Sequence, residues 1–206
     1  MHITVIAASH HMKGQTRKVA RWITERLEEQ GIDTGSIDLA GNPLPLYSEE
    51  EDLTPEATTT LETWSTMVQQ PDGIVLICPE WHGMATPAVK NLILHLKPAF
   101  QRNTPGLLVG VSSSRNGAYP IAELRFSSVK NTRICWLPEH LIVRWVEHRL
   151  NHRIPQASID LEDKDGDGWL QVRIDQTLEL LVRYAEALQP LRGLPLPDPA
   201  RFPNGM

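Results

Sequence analysis

Apolar residues along this chain follow two alternating rhythms. Residues 3–8 form an unbroken small and β-branched run around Ile3, Val5 and Ile6, which predicts a strand buried on both faces. Over residues 16–30 the spacing changes: Val19, Ile23 and Leu27 stand four apart with Ala20 beside them, and Gly31 follows as a stop. That pattern predicts an amphipathic helix. Residues 36–39 predict a short second strand, and residues 42–46, with two prolines, an extended loop. Thr54-Pro55-Glu56 opens a helix with a capping hydroxyl and a proline in its first turn. Leu61, Trp64, Met67 and Val68 supply its apolar face.

Residues 73–78 read as a fully buried third strand ended by Pro79. Thr86-Pro87 opens the third helix in the manner of the second, with Val89, Leu92, Ile93 and Leu96 on one face. Residues 106–111 read as another central strand, 112–117 as a polar turn, 118–130 as a helix and 133–137 as the fifth strand. Residues 141–146 are apolar but too short to assign. Residues 173–188 predict the final helix, with Ile174, Leu178, Leu181, Val182 and Ala185 facing inward. Strands alternating with helices call for a parallel sheet covered on both faces and right-handed crossovers. Five such strands predict an α/β three-layer sandwich in the flavodoxin-like order 2-1-3-4-5, which binds ligands at the carboxyl ends of its strands. Residues 1–190 then make one domain, and 191–206 a proline-rich tail.

The chain has 206 residues, enough for one core without disulfides or metal staples. Its 20 basic and 25 acidic residues leave a net charge of −5, so no general basic field favours nucleic acid. No apolar run approaches the roughly 20 residues of a membrane helix. The N-terminus enters its first strand without a basic signal-peptide region. The expectation is a cytoplasmic protein with no nucleic-acid or membrane partner. Cys78 and Cys135 sit in apolar runs and read as small hydrophobes.

Chemistry is therefore sought in the loops after strands 1, 3 and 4. The first, Ser9-His10-His11-Met12-Lys13-Gly14-Gln15-Thr16, leads from strand to helix. Backbone N–H groups and the positive helix end converge there on an anion. Ser9 and Thr16 add hydroxyls, and Lys13 and the histidines can add charge. An ordinary polar turn with Thr16 capping the helix is the alternative. The third loop, Cys78-Pro79-Glu80-Trp81-His82-Gly83-Met84, carries flat side chains where a planar ligand could lie, although Trp81 could instead fold onto the core. The fourth, Ser112-Ser113-Ser114-Arg115-Asn116-Gly117, could line the other side of such a ligand or be a solvated turn. Asp163-Lys164-Asp165-Gly166-Asp167-Gly168 imitates the start of a calcium loop, but Ile174 stands where calcium needs a glutamate. A turn between two extended pieces is expected there. His95, His140, His148 and His152 lack metal-site spacing, and no metal site is expected.

Together the loops resemble those of the NADPH-dependent FMN reductase family, flavoproteins that include quinone, chromate and azo-dye reductases. The family's G-S-x-R…G-x-T is similar to Ala8-Ser9-His10-His11…Gly14-Gln15-Thr16, with Ala8 for Gly and His11 for Arg. Its P-E-Y-[NH]-G-S…L-K-N is similar to Pro79-Glu80-Trp81-His82-Gly83-Met84…Val89-Lys90-Asn91, the more specific match. Ile37-Asp38-Leu39…Pro43-Leu44-Pro45 and Glu123-Leu124-Arg125 also resemble family segments.

The resemblance implies an FMN-dependent enzyme with NADPH or NADH as co-substrate. Hydride passes from nicotinamide to flavin N5 and on to a quinone, flavin or similar small-molecule electron acceptor, in ping-pong order. The cofactor set so implied is Ser9, His11, Lys13, Gly14, Gln15 and Thr16 around the phosphate. Pro79, Glu80, Trp81, His82 and Gly83 lie along the ring, with Ser112, Ser113 and Asn116 opposite. No catalytic side chain is required, since the flavin carries the chemistry. A homodimer or homotetramer is implied as well. The rival readings are a non-enzymatic FMN-binding electron carrier and a relative that has lost its flavin.

Overall fold

The structure is a computed structural model that describes residues 1–41, 43–48, 53–67, 70–96, 103–130, 132–194 and 201. Asn42, the acidic run at 49–52, Val68, the side chain of Met67 and the prolines at 195, 197, 199 and 203 lie outside the described residues.

In chain order come β1 (His2–Ala7), α1 (Thr16–Glu29), β2 (Asp33–Asp38), α2 (Pro55–Met67), β3 (Gly73–Trp81), β4 (Met84–Ala85), α3 (Pro87–His95), β5 (Pro105–Val111), α4 (Ala118–Ser127), β6 (Cys135–Trp136), β7 (Leu141–Val143) and α5 (Asp167–Arg192). The sheet runs β2-β1-β3-β5-β6, all parallel, which is the flavodoxin-like order. Side chains alternate across it. Val5, Val75 and Leu107 pack on Val19, Ile23 and Leu27 of α1 and on Ile174, Leu178 and Leu181 of α5. Their neighbours Ile6, Leu76 and Leu108 pack on Trp64, Val89, Leu92, Ile121 and Leu124 on the other face. Each such side chain contributes about 1.5–3 kcal/mol on burial, so both helical layers stabilise the sheet.

Several elements depart from expectation. β2 begins at Asp33, three residues early, because its mixed polar residues pair along β1 at an edge that needs no apolar run. β3 does not stop at Pro79. That residue is the last rung of the parallel ladder, opposite Val111, and the chain then turns to pair Glu80 and Trp81 antiparallel with β4. The missing N–H of proline is tolerated where a strand changes partners. The fifth strand is two pieces: β6 pairs with Pro105 and Gly106, and β7 with residues 109–111, both on the same edge of β5. Thr54 accepts the Ala57 N–H as a cap, but the Thr86 hydroxyl donates to the Ala8 carbonyl instead.

Residues 163–168 are not a turn between extended pieces. The Gly166 N–H donates to the Asp163 carbonyl, and α5 starts at Asp167, whose carboxylate accepts the Leu150 N–H. α5 also runs through Pro190 to Arg192, past the boundary expected at 190. Its last turn is held from outside: Arg192 pairs with Asp72 at 2.9 Å and donates to the carbonyls of Pro71 and Asp72.

Candidate cofactor site

The carboxyl ends of β1, β3 and β5 open into a cleft of about 280 Å³. Ten of the fourteen expected residues line it: Ser9, His11, Lys13, Gly14, Gln15 and Thr16 from the first loop, Pro79, Glu80 and Trp81 from β3, and Ser113 after β5. The first loop is folded on itself. The buried Ser9 hydroxyl accepts the His11 N–H at 3.1 Å, the Gly14 N–H donates to the His11 carbonyl, and His11 Nδ1 accepts the Lys13 N–H. A Cβ on Gly14 would stand 2.7 Å from Ser9 Oγ and 2.9 Å from the His11 oxygen. Glycine is therefore required by the loop's own packing, before any ligand is considered. Thr16 is the first residue of α1, not its cap: Gln15 holds that position without a side-chain bond. The Thr16 hydroxyl is buried and has no hydrogen-bond partner among the described residues.

Two contacts join the three loops. The Trp81 ring meets the His10 ring edge-on at 4.6 Å and the His11 ring at 6.4 Å, tying β3 to the first loop. Glu80 Oε2 accepts the Gly117 N–H at 2.6 Å, tying β3 to the fourth. The fourth loop is zipped to residues 143–146: the Ser112 N–H donates to Val143, and the N–H groups of Trp145 and Val146 to Ser114 and Ser112. Val111, Val146 and Glu147, which sequence reasoning missed, complete the cleft wall. Lys18 Nζ braces that wall from α1 through the Val146 carbonyl at 2.5 Å and Asn151 Oδ1 at 2.8 Å. Burial pushes its pKa below the ordinary lysine value, against the pull of Asp167 and Glu147.

Four expected residues do not line the cleft. His82 and Gly83, with φ of 50° and 73°, are the central pair of a two-residue hairpin turn. Gly83 faces Tyr119, 4.0 Å from its Cβ direction, so bulk there does not enter the cleft. Ser112 is buried and shares its hydroxyl with Ser114, and Asn116 is exposed on the turn beyond. The Lys90-Asn91 pair is structural. Asn91 accepts the Tyr47 N–H and donates to Pro45, strapping the 44–47 loop, while Lys90 pairs with Glu123 at 2.7 Å. Hydrogen bonding from Lys90 holds the Glu123 carboxyl below its ordinary range.

The donor set fits a phosphate-bearing planar cofactor such as FMN. A helix start, an orphaned buried hydroxyl and a cationic Lys13 stand at one end of the cleft, and an indole stands along it. Comparison with known proteins agrees. The family model described as NADPH-dependent FMN reductase matches residues 1–152.

The chain belongs to the NADPH-dependent FMN reductase family.

Members with assigned activities include an NADPH azoreductase from Bacillus sp. (strain OY1-2), 30% identical over 146 residues, which are 69% of this chain and 76% of that protein. An FMN-dependent NADPH-azoreductase from Staphylococcus aureus is 25% identical over 59% of this chain and 65% of its own, just under two thirds of its length. Among solved structures, the flavoenzyme FerB, an NAD(P)H:(acceptor) oxidoreductase from Paracoccus denitrificans, superposes with a TM-score of 0.61 at 16% identity. The match covers 88% of this chain and 97% of that one. The apo NADH:FMN oxidoreductase EmoB gives 0.64 at 15% identity, covering 97% and 98%. This NADPH-dependent FMN reductase family member is a redox enzyme, an FMN-dependent NAD(P)H oxidoreductase acting on small acceptors. Among the described residues no helix is long and apolar enough to cross a membrane.

Proposed function

We propose that the enzyme oxidises NADPH or NADH and reduces a quinone, flavin or azo compound in ping-pong order, working as a homodimer or homotetramer. The observation that carries the site is the convergence, in one cleft, of the first loop's donors and unpartnered Thr16 hydroxyl with Trp81. On this reading Ser9, Lys13, Gly14, Gln15 and Thr16 hold the FMN phosphate, while Pro79, Glu80, Trp81 and Ser113 hold its ring. When bound, FMN supplies hydride chemistry at N5. The protein's part would be to orient both partners and exclude water. His10, Trp81 and His11 crowd one side of the mouth and the braced wall at residues 144–147 the other, which supports a single opening for both substrates.

If nicotinamide and acceptor share that opening, each must leave before the other enters. Initial rates with NADPH varied at several fixed quinone levels are then expected to give parallel double-reciprocal lines. Intersecting lines with a measurable ternary complex overturn the shared opening. Absence of both NADPH and NADH oxidation in the FMN-loaded protein favours an electron carrier instead.

A further inference from the structure

Trp145 holds a backbone conformation that a tryptophan seldom takes. Its φ of 49° and ψ of 42° are left-handed, a region that a residue with a Cβ enters at a cost and glycine enters freely. Three hydrogen bonds hold it there. Its N–H donates to the Ser114 carbonyl at 3.0 Å, its carbonyl accepts the His148 N–H at 2.8 Å, and the Val146 N–H reaches the Ser112 carbonyl at 3.1 Å. Such outliers persist where their surroundings over-determine them, and they gather at ligand and active sites. Burial does not account for this one, because the residue remains 47% exposed. Its place is the rim of the cofactor cleft. Val146 and Glu147, which follow it, line the cleft, and its partner Ser114 follows Ser113, which lines it too.

Two arginines stand beside it. Arg144 donates from Nε to the Arg115 carbonyl at 2.6 Å, and both residues are exposed. Among the described residues the Arg115 guanidinium and the terminal nitrogens of Arg144 have no hydrogen bond or ion pair. Adjoining cations repel unless an anion lies between them. The carboxylates nearest this wall are engaged elsewhere. Glu80 accepts the Gly117 N–H at 2.6 Å, Glu147 lies in the field of the Lys18 ammonium, and Glu139 pairs with Arg173.

We infer that Trp145, Arg144 and Arg115 bind a flat aromatic ring that carries an anionic group, and so select among the substrates that enter the cleft. The inference rests on the proposed function, because it takes the cleft as the place where substrates meet the flavin. An indole takes a planar ring by stacking, and guanidiniums take a phosphate or sulfonate through forked hydrogen bonds. Two kinds of substrate carry that combination. One is NADPH, whose adenosine end bears a 2′-phosphate that NADH lacks. The other is an aromatic acceptor bearing a sulfonate or carboxylate. A single opening lets either use the rim in its turn.

Two measurements on the FMN-loaded protein test it. One is calorimetric affinity for 2′,5′-ADP, which has the 2′-phosphate and no nicotinamide. The other is kcat/KM for 1,4-naphthoquinone-2-sulfonate relative to uncharged 1,4-naphthoquinone. Arg115→Gln is expected to lower the affinity or the sulfonate preference by about 10-fold at low salt, the loss of one charged hydrogen bond, and by less at high salt. Trp145→Gly is expected to cost about 10-fold at low and high salt alike, the loss of a stacked ring, and Trp145→Phe to restore most of it. Glycine suits the left-handed backbone, and circular dichroism checks the fold. Arg21→Gln removes the same charge from an exposed position on α1 that lines a separate cavity, and is expected to behave as wild type. A loss confined to 2′,5′-ADP assigns the rim to the nucleotide, and one confined to the sulfonate assigns it to the acceptor. Wild-type values with both ligands in either Arg115→Gln or Trp145→Gly overturn the inference and leave the proposed function standing. A protein that oxidises neither NADPH nor NADH, yet loses 2′,5′-ADP affinity in both variants, keeps the rim and defeats the proposed function instead.

Discussion

Gly110, in the middle of β5, is where one added methyl group should do the most damage. A Cβ there would stand 2.1 Å from the Gly117 carbonyl oxygen and 3.3 Å from Ile121 Cγ1. Relief needs Gly117 to move by about 1 Å, and that residue is held on both sides of its Cα. Its N–H is on Glu80 at 2.6 Å, and a displacement towards β7 is opposed by Ile142, which already lies 2.6 Å from the Gly117 Cβ direction. Overpacking against backbone belongs at the upper end of its usual range, about 3 kcal/mol. For a chain of this size that lowers Tm by about 6–12 °C. Gly73, in β3, is the internal contrast: its Cβ would meet Leu181 at 3.5 Å and Ile3 at 3.6 Å, ordinary contact distances. Gly73→Ala is expected to be neutral or to stabilise by up to about 1 kcal/mol, since alanine loses less backbone entropy on folding. Calorimetric melts of both variants against wild type decide the matter. Gly110→Ala melting within about 2 °C of wild type, or Gly73→Ala falling as far as Gly110→Ala, refutes the reasoning.

Asp72 gives a pH dependence. Burial pushes its carboxyl up, but the His2 N–H, Arg192 and the N-terminus outweigh burial and hold it below the ordinary value. A depressed folded pKa contributes stability above the unfolded value, about 4, and that contribution is lost as pH falls through the folded one. Asp72→Asn should therefore cost about 1–3 kcal/mol at pH 7 in denaturant titrations, with the gap to wild type closing below about pH 4. A gap that does not narrow as pH falls below about 4 contradicts the assignment. Cys78 is fully buried, and desolvation pushes its thiol up to about 12. It should resist thiol reagents at pH 8 until the protein unfolds, and rapid native labelling at Cys78, read by peptide mass, would show β3 more open than described.

The sheet order was legible because buried parallel strands are written as short apolar runs, and β1, β3 and β5 are such runs. The edges were not. Polar β2 and the split β6 and β7 have one neighbour each, so their residues need not be apolar, and a run as short as residues 141–143 carries no periodicity. Pro79 read as a stop because a proline's effect depends on which side of the strand is paired, and that is tertiary information. In the site, the first loop and Trp81 were readable as chemistry in a strand-to-helix connection. Gly83 misled: a two-residue hairpin turn also selects glycine, for its positive φ. Val146 and Glu147 reach the cleft only because β7 returns the chain to β5, which nothing local announces.

FMN affinity, measured beside riboflavin affinity, tests the central claim most directly. The Thr16 hydroxyl has no protein partner among the described residues, so Thr16→Val removes nothing the fold uses. Fluorescence titration of the flavin-free protein is expected to give one FMN per chain. Thr16→Val is expected to weaken FMN by about 10–100-fold, the loss of one hydrogen bond to a charged phosphate, and to leave riboflavin unchanged. A wild-type protein that binds no FMN, or a Thr16→Val variant that binds FMN as tightly as wild type, contradicts the account.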